Sequence, residues 1–151
     1  MRARDFIPPG GIRLQLQSHT KKEVMRELVS LLESDAELAE QMYVSLMRHE
    51  RMGSTGIGRG IAIPYYRFEA LSRPRLAFGR APKGIDFKAI DGNPVYCFFM
   101  LLGPAFADPE NLFLPLMGRL AQWFKTPGVT QRLCALETPE DLLRLLDEEG
   151  L

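Results

Sequence analysis

Cysteine and histidine are scarce in this chain, and their scarcity excludes a good deal. Two cysteines, Cys97 and Cys134, are too few for a disulfide scaffold. Neither belongs to a Cys/His cluster with metal-ligand spacing, so no metal and no cofactor are expected. The reading is of separate, buried, reduced thiols in a cytoplasmic protein. Histidine occurs twice, at His19 and His49, which leaves two candidates for any imidazole chemistry. His19 lies in a polar run and reads as a solvated loop residue. Net charge is missing too: 19 Lys and Arg balance 19 Asp and Glu, leaving no global field to hold nucleic acid. No apolar run approaches the ~18 residues of a membrane span, and no long apolar segment follows the basic start at residues 1–4. A G-x-S-x-G elbow and a P-loop are both absent.

What is there is ordinary globular composition, 46% apolar and 25% charged over 151 residues. That length suits a single domain able to bury about two-thirds of its unfolded surface. Residues 1–11, with Pro8-Pro9-Gly10-Gly11, read as a turn-rich lead-in, and 12–151 as one domain. Alternation over 12–16 predicts a half-buried strand. Thr20 and Glu23 fit a capping box before a helix with Val24, Met25, Leu28, Val29, Leu31 and Leu32 on its apolar face. Ser34 or Asp35 caps a second helix, expected to end near residues 48–50, with Leu38, Met42 and Leu46 inward. Strands are predicted over 75–81 and, most strongly, over 95–102 (VYCFFMLL), which is apolar at nearly every position. A strand buried on both faces needs a layer on each side. The chain therefore reads as an α/β protein with a mixed, mostly parallel central sheet flanked by helices on both faces.

The C-terminal third continues in helices. Asp108-Pro109-Glu110 introduces one that begins near Leu114, which keeps Pro115 in its first turn. A short helix over 129–135 follows. Thr138-Pro139-Glu140-Asp141 then combines a capping hydroxyl, proline at the first position and early acids, a strong helix start. Around the third strand, alternation sets Arg73 and Arg75 on one sheet face near solvent.

Residues 53–67 (GSTGIGRGIAIPYYR) stand out. Glycines at 53, 56, 58 and 60 allow tight turning and convergence of amide N–H groups, which suits anion cradling. The loop leads into Ile61-Ala62-Ile63, a short strand that Pro64 is expected to end, followed by Tyr65, Tyr66 and a polar connection. Because a strand and not a helix follows, Gly56-Ile57-Gly58 fails the context of a dinucleotide fingerprint.

These residues resemble the type-2 EIIA domains of the bacterial phosphotransferase system, the fructose/mannitol-type domains and their nitrogen-regulatory relatives. The resemblance rests on residues 48–64 (RHERMGSTGIGRGIAIP), on Phe87-Lys88-Ala89-Ile90-Asp91-Gly92-Asn93-Pro94-Val95, and on Leu101-Leu102-Gly103-Pro104-Ala105. It extends over about residues 12–147 in matching order. It implies an α/β sandwich in which a histidine directly after I-A-I-P accepts a phosphoryl group from HPr. In sugar-type members the group passes to an EIIB domain, whereas nitrogen-type members mainly regulate other proteins.

Carried over position by position, the resemblance exposes departures. The acceptor position is Tyr65. The second active-site histidine falls at Phe113, or at Asn111 if a gap is allowed. The arginine before the motif glutamate is His49, with Glu50 retained and Arg48 one residue away. A phenol with pKa near 10 is a poor nucleophile without a base, and its phosphate ester is too stable for onward transfer. Losing the arginine removes a fork that binds phosphate in two places. The expectation is a degenerate EIIA-like protein that binds an HPr-like, EIIB-like or regulatory protein partner. Candidate binding residues are Arg48, His49, Glu50, Ser54, Thr55, Gly56, Gly58, Tyr65 and Phe113. Met52, Ile57, Phe106 and Phe113 form an expected docking patch, with Tyr65 and Phe113 paired in the former phosphate pocket. Two alternatives stay open: an active phosphocarrier using His49, and a small-molecule binder in the remodelled pocket.

Overall fold

Ten consecutive strand residues that are almost all apolar can be buried only if helices cover both faces of the sheet that holds them. The computed structural model, which describes residues 2–106, 108 and 110–151, has that arrangement. In chain order a 3₁₀ turn (Ala3–Phe6) precedes β1 (Ile12–Arg13), α1 (Lys21–Leu32), α2 (Ala36–Met52), β2 (Gly56–Gly58), β3 (Ile61–Ala62) and β4 (Tyr65–Phe68). Then follow β5 (Arg75–Ile85), β6 (Val95–Pro104), α3 (Phe113–Phe124), α4 (Val129–Cys134) and α5 (Pro139–Glu148). The sheet runs β1-β5-β6-β3-β2, and β4 lies beside β6 next to β3. Pairings β1/β5, β3/β6 and β4/β6 are parallel, whereas β5/β6 and β2/β3 are antiparallel.

Alternation along β6 divides the core. Phe98, Met100 and Leu102 join Val24, Met25 and Leu28 of α1 and Met42 and Leu46 of α2. Cys97, Phe99 and Leu101 join Leu116, Leu120, Trp123 and Phe124 of α3, with α4, α5 and the buried Ala3 and Phe6. The ring of Phe99 meets Phe78 at 4.8 Å and Phe124 at 5.1 Å between centroids, so aromatic contacts tie α3 to the sheet. Among the described residues no helix is long and apolar enough to cross a membrane.

Several local expectations change. Pro64 interrupts its strand without ending it: its carbonyl accepts the Leu101 N–H at 2.9 Å, and β4 resumes pairing with β6 at Tyr65. Proline has no N–H to give the ladder, which fits the break between β3 and β4 at this residue. The glycine-rich stretch is a hairpin, β2 to β3, turning at Arg59 (φ 59°) and Gly60 (φ 78°). Two central residues at positive φ match the twist of the flanking strands. β5 is longer than predicted because a bulge absorbs Pro82, Lys83 and Gly84 between the Arg80–Cys97 and Ile85–Val95 pairings. α2 runs a little further, to Met52, and β1 shrinks to two residues, although Leu16 N–H still reaches Arg80 O at 2.9 Å.

Capping follows the sequence more closely. Asp35, not Ser34, caps α2 through Leu38 N–H at 3.0 Å. Thr138 and Asp141 form a reciprocal capping box on α5. α3 starts at Phe113, and the Asp108 carboxylate accepts the Leu112 and Phe113 N–H groups; Pro109, also expected to introduce this helix, lies outside the described residues. Arg73 and Arg75 do not share a face. Arg73 stacks on Phe6 at 5.4 Å, while Arg75 donates to Leu32 O at 2.8 Å and to Glu33. Nor are the cysteines separate, since their Sγ atoms lie 4.0 Å apart, with Cys97 buried and Cys134 an exposed residue.

Candidate functional site

The last turn of α2 delivers His49 and Glu50 about 100° apart around the helix, so they face different surroundings. Glu50 points inward, its side chain 2% exposed. Its carboxylate accepts the Thr55 N–H at 3.0 and 3.2 Å, the Thr55 hydroxyl, and the Lys21 ammonium at 2.7 Å. Lys21 also donates to Phe87 O at 3.0 Å and lies 4.3 Å from the centre of the Phe87 ring. Ser54 Oγ donates to the same carbonyl at 3.0 Å and accepts the Gly56 N–H at 3.1 Å. Asp91 takes the Arg59 N–H at 3.1 Å. Its carboxyl is held below the ordinary range by the N–H groups of Asn93 and Arg59.

This network revises the expected anion cradle. The N–H groups of Thr55, Gly56 and Arg59 converge on acceptors supplied by the chain itself. The loop is built to hold its own shape, with segment 86–93 packed under it.

His49 faces the other way, half-buried at the sheet edge. Its ring stands edge-on to Tyr65, 4.8 Å between centroids, and 5.9 Å from Tyr66. Tyr66 continues to Phe68 at 5.0 Å. Successive β4 residues point to opposite faces, so Tyr65 packs on the α3 side and Tyr66 on the α2 side. His49 bridges the two rings where the sheet ends. Arg48 is exposed next to it.

Phe113 occupies different ground. It is 2% exposed and lies against Gly103, where any added Cβ would collide with its ring. The Arg67 guanidinium sits 5.1 Å from that ring, and Arg67 Nε donates to Pro104 O at 2.9 Å. The expected Tyr65–Phe113 pair is not among the ring contacts of the described residues; Tyr65 has His49 as its ring partner instead. Asn111, the alternative position, is exposed with φ 50°.

The family model described as "Phosphoenolpyruvate-dependent sugar phosphotransferase system, EIIA 2" matches residues 5–149. This chain belongs to the EIIA type-2 family. The nitrogen regulatory protein of Pseudomonas aeruginosa is 30% identical over 97% of the chain and 95% of that protein. The fructose-specific EIIABC component of Bacillus subtilis is 28% identical over 98% of the chain, which spans only 23% of that longer protein. Among solved structures, the nitrogen regulatory protein IIA-Ntr of Neisseria meningitidis superposes with a TM-score of 0.84 at 31% identity, covering 94% of this chain and 97% of that one. The mannitol IIA of Escherichia coli, at 19% identity and a TM-score of 0.72 over 92% of this chain and 97% of that one, shares the fold.

Within this EIIA type-2 domain several large apolar side chains are exposed. Met52, Ile57 and Phe106 are exposed as expected, and Phe113 is not, so it drops out of the patch. Ile90 and Leu114 are exposed as well, at 83% and 59%. Glu50, Thr55, Gly56 and Gly58 are buried, which fits a role in shaping the loop more than in touching a partner. A cleft of about 250 Å³ between residues 15–19 and 81–85 is lined by neither Tyr65, His49 nor Phe113. Sequence reasoning missed Lys21 and Arg67. Lys21 sits 29 positions before its carboxylate and carries no local signal. Arg67 could have been found from alternation, which sets it on the same face as Tyr65.

Proposed function

We propose that this EIIA type-2 chain is a regulatory protein-binding module of the nitrogen-regulatory kind, acting in the cytoplasm, that does not accept phosphate. The observation that carries this reading is Tyr65, directly after Ile61-Ala62-Ile63-Pro64, with its ring covered edge-on by His49. Relay through the family's acceptor needs an imidazole nitrogen attacking in line and a phosphoramidate that gives the group away again. A phenol meets neither need. The companion positions support the same reading, because a buried phenyl ring at Phe113 and an imidazole at His49 offer no bidentate grip on a phosphoryl group. Glu50, the retained motif residue, is engaged by Lys21 and Thr55. The exposed apolar residues Met52, Ile57, Ile90 and Phe106 are the docking face for an HPr-like, EIIB-like or regulatory protein partner.

Incubation with Enzyme I, HPr and labelled phosphoenolpyruvate tests this reading. The wild-type chain is expected to stay unlabelled while an active EIIA control takes up acid-labile phosphate. Acid-labile label that disappears in His49→Ala overturns the proposal and makes His49 the carrier. Acid-stable label that disappears in Tyr65→Phe overturns it as well.

A further inference from the structure

The geometry points to Cys97 and Cys134 as a peroxide-sensitive dithiol that closes into an intramolecular disulfide. Two observations carry this. The Sγ atoms lie 4.0 Å apart, although the residues are 37 positions apart in the chain. Closing that gap to a bond needs about 2 Å of relative movement, within reach of χ1 rotation with little backbone shift. Second, the end of α4 that carries Cys134 is clamped in place. Arg80 donates from Nη1 to Leu133 O at 3.0 Å, Cys134 O at 3.2 Å and Leu136 O at 2.8 Å, and from Nε to Leu14 O at 3.1 Å. Arg80 pairs with Cys97 across the β5/β6 ladder, so one guanidinium fixes the helix end relative to the strand that holds the second thiol.

The two thiols are unequal, and that sets the order of events. Cys97 is fully buried in β6, and burial pushes its thiol far above the ordinary range, with Cys134 adding to the effect. Cys134 ends a surface helix and is an exposed residue, so peroxide reaches its sulfur first. In the first step the Cys134 thiolate attacks one oxygen of hydrogen peroxide; an S–O bond forms, the O–O bond breaks, and hydroxide leaves to become water on protonation. In the second, Cys97 sulfur attacks the sulfenic sulfur. The S–S bond forms, the S–O bond breaks, and the departing hydroxide takes the Cys97 proton to leave as a second water. Two thiols and one peroxide give one disulfide and two waters. The bond would tie α4 to β6 and close a loop containing α3 and the exposed Phe106.

The test treats the reduced full chain with a slight excess of hydrogen peroxide and follows intact mass without reductant. The expected product is a monomer about 2 Da lighter, with both thiols lost to alkylation, a cross-link between the peptides carrying Cys97 and Cys134, and full reversal by dithiothreitol. In Cys97→Ser, Cys134 is expected to accumulate sulfenic acid that dimedone traps. Arg80→Met, if circular dichroism shows it folded, is expected to slow closure about tenfold by loosening the end of α4. A gain of about 32 Da at Cys134 with Cys97 still alkylatable overturns the inference. So does a disulfide-linked dimer, or a wild-type chain whose thiols both survive the treatment.

Discussion

Replacing Glu50 by glutamine removes the charge that faces Lys21 Nζ at 2.7 Å in a place where both side chains are mostly out of water. The lysine loses its counter-charge and keeps most of its desolvation cost, so Glu50→Gln is expected to destabilise the fold by about 3 kcal/mol. Urea unfolding of Glu50→Gln, Lys21→Met and the double variant measures this. The double variant is expected to be less destabilised than the sum of the singles, because removing both partners leaves no orphaned charge. That result separates a structural carboxylate from a phosphate-site residue, which the loss of one partner alone does not. At the same scale Tyr65 could be read from the chain, because its position after Ile61-Ala62-Ile63-Pro64 is a matter of counting. Its ring partner could not: His49 reaches it only because α2 ends beside β4.

At the scale of elements, close approach decides how α3 sits on the sheet. Gly103, next to last in β6, leaves room for the Phe113 ring at the first residue of α3. Gly103→Ala is expected to push that end of the helix outward and cost about 2 kcal/mol. Combining it with Phe113→Leu, which trims the colliding ring, is expected to recover about half of the loss, read from the shift in urea midpoint at constant slope. Helix ends tell a related story. α1, α3 and α5 have no basic residue in their last turn. Arginines from elsewhere serve them: Arg75 reaches Leu32 O at the end of α1, Arg59 reaches Lys125 O at 2.7 Å after α3, and Arg119 reaches Gly150 O after α5. A guanidinium at a helix C-terminus both satisfies orphan carbonyls and faces the negative end of the dipole. None of these pairings has a local sequence signal, whereas the N-terminal caps Thr20, Asp35 and Thr138 do, because a cap and its helix are neighbours in the chain.

For the molecule as a whole, Glu27 joins three segments and makes stability depend on pH. Its carboxylate accepts Arg13 Nη1 at 2.8 Å, Ser18 Oγ at 2.6 Å, and the N–H groups of Gln17 and Ser18 at 3.0 and 3.1 Å. Burial pushes this carboxyl up, but the bonds from Ser18, Arg13 and Gln17 outweigh it and hold it below the ordinary range. A folded value below the unfolded one, about 4.3, means the contribution is complete above that pH. It is lost as pH falls through the folded value. Glu27→Gln is therefore expected to be clearly less stable than wild type at pH 7, with the gap narrowing towards pH 3. Parallel urea titrations at both pH values check the sign.

By itself the sequence determined the layered α/β architecture, the helix starts, the family resemblance and the tyrosine after Ile61-Ala62-Ile63-Pro64. The architecture, the helix starts and the tyrosine follow from periodicity, short-range capping chemistry or counting, and the resemblance from matched motifs; each involves residues close together in the chain. Tertiary structure alone decided that the glycine stretch closes on its own carboxylates, that β4 continues past Pro64, that Phe113 lies under Arg67, and that the two cysteines touch. Each depends on which distant elements share an edge or a face. A side chain's partner across the fold is set by the packing of β5, β6 and the helices that cover them, and no local pattern encodes it.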